Sequence, residues 1–265
     1  MCNIAVMESI ISIRHLSKNY GTKSVLQDIN LDVYPGQVIG YIGPNGAGKS
    51  TTVKILCGLL TDYQGTVTVK GLDVKQNTLE VKKQIGYIPE LAELYDVLTP
   101  NEYLRFTGTL YGLDEQTCTE RMQKIMSAFG MEGNINQRMD TFSKGMRQKV
   151  LIASGLLHNP GIIILDEPLS GLDANSVIIM KELISRLAKD GKTIFYCSHM
   201  MDVVEKVSDR IVLINGGKIV ADGSFDQLKQ QEGNKSLEQI FASLTATDSL
   251  SATAEELAKA MESRL

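Results

Sequence analysis

The chain has 265 residues, 43% of them apolar, and a net charge of −4, which is ample to bury the core of one large domain and speaks against a disordered chain. No long basic block is present, so the electrostatic footprint of a nucleic-acid partner is missing, and none is expected. No uncharged apolar stretch reaches the roughly 18 residues that a spanning helix needs, and no basic segment with an apolar core opens the chain, so it is not expected to enter a membrane itself.

Met1 to Val6 precede the first strand pattern and read as an extension, or as a start upstream of Met7. Ile10 to Arg14, Ile29 to Val33 and Val38 to Ile42 alternate or run apolar as strands do, with turns at Tyr20-Gly21 and Pro35-Gly36. The last of these runs leads into Gly43-Pro44-Asn45-Gly46-Ala47-Gly48-Lys49-Ser50, which fits G-x-x-x-x-G-K-S. Such a loop curls its backbone N–H groups around a polyphosphate, lets Lys49 reach the β- and γ-phosphates, and offers the Ser50 hydroxyl to Mg²⁺. The helix that begins near Lys49, with Thr51 in its first turn, points its positive end at the same anion. Nucleotide binding is therefore the first expectation.

Gly65 to Gly71 adds another alternating strand, followed by a polar link through Lys75 to Thr78. From Asn101 to His158 the spacing turns helical, with breaks at Gly112-Leu113-Asp114 and Gly130 to Asn136, as a helical insertion would show. Ile162 to Leu165, Thr193 to Cys197 and Arg210 to Ile214 are short apolar strands, separated by helical segments at Ala174 to Lys189 and Met200 to Val207. That alternation predicts an α/β fold with a mostly parallel sheet under helices. Gly216-Gly217 should make a hairpin with Lys218 to Ala221. Leu237, Ile240, Phe241 and Leu244 should form a short docked amphipathic helix, and Thr253 to Leu265 a second helix with a capping box. Cys2, Cys57, Cys118 and Cys197 form no C-x-x-C pair and suit reduced thiols in a cytosolic setting.

Asp166-Glu167-Pro168 ends the strand at Leu165. That places two carboxylates at the carboxyl end of a buried strand, where open α/β sheets bind ligands. With a phosphate loop upstream, Asp166 is expected to hold Mg²⁺ and Glu167 to orient or deprotonate the attacking water.

In this order the motifs resemble those of the ATP-binding subunits of ABC transporters, over about Ile10 to Ala242. The resemblance implies a phosphate-loop (P-loop) NTPase core of the RecA-like, ABC type, with an antiparallel β-subdomain and an inserted α-helical subdomain at about 91–158. The ATP-binding domain would span 1–235 and a C-terminal helical tail 236–265. Tyr20 sits where that family stacks an aromatic ring on adenine. Phe142-Ser143-Lys144-Gly145-Met146-Arg147-Gln148 stands at the signature position: Ser143 and Gly145 match, while Lys144 and Met146 look like the variant of ABC-2-type exporters. Leu169 to Asp173 resembles the D-loop, and His199 the switch histidine. Ile85 to Glu90 resembles the Q-loop, with Glu90 in place of the usual glutamine. By resemblance, the nucleotide contacts are Tyr20, Gly43 to Thr51, Glu90, Ser143, Gly145 and Asp173; Lys49, Glu167 and His199 are catalytic; Ser50 and Asp166 bind metal.

The implied activity is hydrolysis of ATP with Mg²⁺ for a separate integral membrane permease. The implied partner is a second ATPase subunit, which a copy of this chain could be, on the cytoplasmic face of the membrane. An ABC-type ATPase acting on ribosomes or DNA, and a non-hydrolysing nucleotide switch, are the alternatives.

Overall fold

In the computed structural model, residues 8–91 and 93–245 are described. The proposed extension Met1 to Val6, Cys2 and the second C-terminal helix lie outside the described residues. The chain folds into two sheets and the helices that cover them.

Strands β1 (Ile11–Tyr20), β2 (Lys23–Val33), β4 (Gln64–Val69) and β5 (Leu72–Asp73) form an antiparallel sheet in the order β2-β1-β4-β5. β1 and β2 run longer than the expected strands because their alternation is interrupted. His15 (φ 51°) and Asp28 (φ 55°) adopt left-handed backbone where the β1–β2 register shifts, and the buried side resumes beyond them with Leu16 and Leu26. A bulge of this kind hides a strand from a strict period-2 reading.

The second sheet joins β3 (Val38–Ile42), β6 (Ile85–Ile88), β7 (Ile162–Asp166), β8 (Thr193–Cys197), β9 (Arg210–Asn215) and β10 (Lys218–Gly223) in the order β10-β9-β3-β8-β7-β6. Every pair is parallel except the β9–β10 hairpin. The central strands read as uninterrupted apolar runs because both faces are covered. Within each run the side chains still alternate. Ile163, Leu165, Ile194 and Tyr196 enter one core, and Ile162, Ile164, Phe195 and Cys197 enter the other. The first core is filled by helices and the second by the antiparallel sheet together with Val53, Ile55 and Leu56 of the helix after β3, which fixes the parallel sheet as the middle layer.

Helix α1 (Lys49–Leu56) follows β3, and α2 (Thr78–Gln84) leads into β6. The helical stretch holds α3 (Pro100–Leu110), α4 (Glu115–Ala128) and α5 (Lys144–Leu156), with 3₁₀ turns at Glu132–Asn134 and Met139–Thr141. Local chemistry sets these starts. Thr99 and Glu102 close a capping box ahead of Pro100, and Asp114 accepts from the Thr117 N–H at 2.8 Å. Helices α6 (Ala174–Lys189), α7 (Met201–Val207), α8 (Phe225–Gln231) and α9 (Leu237–Thr245) are the remaining helices among the described residues. Leu237 and Ile240 bury α9 in the helical core, as the amphipathic spacing predicts. Among the described residues, no helix is long and apolar enough to cross a membrane.

His158, just beyond α5, fastens the helical stretch to the sheet. Its ring stacks on Tyr111 with centroids 3.7 Å apart, and Nε2–H donates to the Ile85 carbonyl at 3.2 Å. Burial pushes its pKa down to about 4, and Arg121 and Lys192 act in the same direction. The unfolded chain therefore binds this proton more readily than the folded one. The stabilisation from neutral His158 is complete above pH 6.5 and is lost as pH falls toward 4. Discounted for its partial exposure, the effect is on the order of 1–2 kcal/mol. Urea titrations at pH 7 and pH 4.5 should show the wild type losing about that much more stability than His158→Gln; equal losses would disprove it.

Candidate active site

β3 delivers the chain into residues 43–48 at the carboxyl edge of the parallel sheet, and α1 carries it away. Gly48 has φ 110°, and a Cβ there would lie 2.5 Å from Leu26 Cδ2 and 2.9 Å from the Val25 carbonyl oxygen. Both backbone conformation and space therefore demand glycine. No side chain caps the N-terminus of α1 and no acidic residue occupies its first turn, so its free N–H groups and positive dipole end remain available to an anion. Lys49 Nζ donates to the carbonyls of Gly43 at 2.7 Å and Pro44 at 3.2 Å, which holds the ammonium across the loop.

The acid pair ends β7. Asp166 is paired in register with Cys197 on β8 and is only 4% exposed. Burial pushes its pKa up to about 6; Glu167 and Glu90 push the same way, while the Ser50 hydroxyl and Lys49 oppose them. Ionising it at neutral pH thus costs the fold on the order of 2 kcal/mol, which a nearby divalent cation would offset. Glu167 adopts left-handed backbone at φ 49°, a conformation that costs about 1–3 kcal/mol in a residue with a Cβ. Its N–H donates to the Cys197 carbonyl at 2.9 Å. Its Oε2 accepts from Ser198 Oγ at 3.1 Å and lies 2.9 Å from His199 Nδ1.

These groups share one cleft of about 540 Å³, lined by Tyr20, Lys23, Val25, Asn45, Gly46, Gly48 to Thr51, Glu90, Asp166, Glu167 and His199. Gly43, Pro44 and Ala47 shape the loop but do not line the cleft. The Tyr20 ring is half exposed, with Lys18 Nζ 4.9 Å from its centroid, and Lys18 is itself paired with Asp62 at 2.8 Å. Lys23 and Val25 escaped the sequence reading. The turn after Tyr20 sends β2 back beside it, and period-2 spacing puts residues 23 and 25 on one face. That spacing was the available signal.

Ser143, Gly145 and Asp173 lie outside this cleft. Ser143 is exposed and caps α5, accepting from the Met146 N–H at 3.3 Å. A Cβ on Gly145 would lie 2.6 Å from the Gly171 carbonyl oxygen, so glycine lets the first turn of α5 touch the turn before α6. Lys144 Nζ donates to Ser170 Oγ at 2.9 Å across the same junction. Asp173 caps α6 through the Ser176 N–H at 2.9 Å and pairs with Lys149 at 2.9 Å. The Ser176 backbone bond and the Lys149 pair hold its carboxyl well below the usual range. The two turns form one patch separate from the phosphate loop.

A phosphate loop at a helix N-terminus, with an acid pair at the carboxyl end of β7, one strand removed from β3 across β8, defines a nucleotide-hydrolysing enzyme of the phosphate-loop class. Comparison with known proteins narrows the class. A protein-family model described as ABC transporter matches residues 26–170. The ABC transporter ATP-binding protein NatA of Bacillus subtilis is 39% identical over 82% of this chain and 89% of its own length. The linearmycin resistance ATP-binding protein LnrL of the same organism is 33% identical over 88% and 75%. A solved ATP-binding subunit of an ABC transporter superposes with a TM-score of 0.85 at 32% identity, over 90% of this chain and all of that one. The fold is also shared, with a TM-score of 0.75 at 23% identity over 81% of this chain and 98% of the other, with a dimeric ATP-binding cassette bound to ADP and Pi. The chain belongs to the ABC transporter family, as an ATP-binding subunit and ATPase.

Proposed function

We propose that this chain hydrolyses ATP as the energy-coupling subunit of a separate integral membrane permease, of the ABC-2 exporter type, on the cytoplasmic face of the membrane. The observation that carries the hydrolytic part is the convergence of Lys49, Ser50, Asp166 and Glu167 on one cleft. In this reading Tyr20 stacks on adenine, Lys49 and the N–H groups of residues 46–51 hold the phosphates, and Glu167 takes the proton of the attacking water. As the water oxygen bonds to the γ-phosphorus, the bond to the bridging oxygen breaks and ADP leaves with the electron pair.

The donors fit Mg²⁺: a hydroxyl at Ser50 and a buried carboxylate at Asp166, beside two more acids, supply hard oxygen ligands. Among the described residues no cluster of His, Cys, Asp and Glu could hold a metal by itself, and Mg²⁺ ordinarily completes its shell with phosphate oxygens and water. When bound it would neutralise charge on the transferring phosphoryl group. Glu90 would add a negative charge near that ion where a glutamine would add none.

The exposed Ser143–Gly145 turn supports a shared site, in which two chains pack so that this turn of each faces the phosphate loop of the other. Two helix N-termini, of α1 and α5, would then address one triphosphate. A homodimer satisfies this because one chain carries both halves, with Asp173 at the junction. Lys49→Ala and Ser143→Arg should each abolish most turnover alone. Mixing them should restore measurable phosphate release, because a mixed dimer regains one intact composite site. Failure of the mixture to exceed either variant would reject the shared-site dimer.

Export is supported by the Ser143 to Gln148 variant signature and by a relative named for linearmycin resistance. The domain bounds proposed are 1–235 for ATP binding, with the helical subdomain at 91–158, and 236–265 for the tail. Affinity capture of the chain from detergent-solubilised membranes should bring down an integral membrane protein; capture of ribosomes or DNA instead would refute the transport role.

A further inference from the structure

We infer that Ser198 is a positioning residue for the water-activating carboxylate: its hydroxyl pins one oxygen of Glu167 so that the other is presented to the attacking water. The inference rests on the role given to Glu167 above. Ser198 directly follows β8 and is 1% exposed. Its Oγ accepts from the Met200 N–H at 3.1 Å and lies 3.1 Å from Glu167 Oε2. An N–H can only donate and an ionised carboxylate can only accept. The two partners therefore fix the direction of the hydroxyl, which must donate to Glu167.

His199 Nδ1 addresses the same oxygen from 2.9 Å, but the His199 side chain is 74% exposed whereas that of Glu167 is 12% exposed. An exposed imidazole can turn away toward a γ-phosphate; a buried hydroxyl held by a backbone N–H cannot. Ser198 is thus the anchor that persists when His199 engages nucleotide. Cys197 and Ser198 grip Glu167 at two further points, the Cys197 carbonyl on its N–H and the Ser198 hydroxyl on Oε2. This restrains a residue whose left-handed backbone, at φ 49°, would otherwise relax. With both side-chain contacts on Oε2, Oε1 is the oxygen left to accept the water proton.

The test is steady-state Mg²⁺-ATP hydrolysis by the full chain. Ser198→Ala should lower kcat about tenfold, the effect of losing one hydrogen bond to a charged group. Its KM for ATP should stay within about twofold, because the bond orients the base and does not touch the nucleotide. Ser198→Thr, which keeps the hydroxyl, should recover most of the loss. Binding of a fluorescent ATP analogue at wild-type affinity would show that the alanine variant retains a formed cleft. An unchanged kcat in Ser198→Ala, a fall in kcat accompanied by a large rise in KM, or a threonine variant no better than alanine would each overturn the inference. Glu167→Gln measured alongside separates the two claims. Wild-type turnover in Glu167→Gln would remove the base itself, whereas an inactive Glu167→Gln with a normal Ser198→Ala would remove only Ser198.

Discussion

Replacing Glu167 by glutamine is expected to reduce ATP turnover by on the order of 10²–10⁴-fold, the range for removing a general base, while ATP affinity stays near that of the wild type. The substitution is close to isosteric and leaves the φ 49° backbone and the bond to the Cys197 carbonyl in place. A glutamine carbonyl oxygen can still accept from Ser198, so the local packing survives. The group facing the water becomes an amide that cannot take a proton. Nucleotide would then bind and remain uncleaved, and a dimer held together by shared ATP should accumulate. Size-exclusion chromatography with ATP and Mg²⁺ should show that dimer in Glu167→Gln and far less of it in the wild type. Near-normal phosphate release by the variant would take the catalytic role away from Glu167.

The parts of this site that sequence reveals are those whose chemistry is local. The phosphate loop is legible because a strand, fixed glycines, Lys49 and Ser50 are contiguous, and the acid pair is legible because it terminates an apolar strand. Lys23 and Val25 were not legible: they reach the cleft only because β2 folds back beside Tyr20, and a lysine and a valine in a strand carry no motif. Ser198 was equally silent, since its partner stands across a β7–β8 register that no spacing encodes. Ser143, Gly145 and Asp173 could be named from motif order, yet within one chain they cap helices and pack two turns together, away from the cleft. In the fold, α2 and α8 were missed because each buries a single apolar residue, Val81 and Leu228 respectively, which is too little to show a helical period. β6 was missed as a strand because its four residues run straight into Pro89. Its pairing with β7 is a tertiary fact.

Lys49→Ala is expected to weaken ATP binding by about 10–100-fold, the equivalent of one or two hydrogen bonds to a charged phosphate, and to depress turnover further. The two effects separate because the loop has two sources of attraction. The uncapped N-terminus of α1 and the backbone N–H groups remain in the variant, so nucleotide still finds a site. What disappears is the one ammonium that spans the loop, held at 2.7 Å from the Gly43 carbonyl, from which it can turn toward a γ-phosphate whose charge shifts during transfer. Alanine also releases the carbonyls of Gly43, which is buried, and of Pro44, which is half-buried, so a stability loss on the order of 1 kcal/mol should accompany the loss of binding. Calorimetric titration with a non-hydrolysable ATP analogue, paired with phosphate-release kinetics, distinguishes the contributions. Unchanged affinity and turnover would mean that backbone and helix dipole alone manage the phosphates, and that Lys49 serves only to brace its own loop.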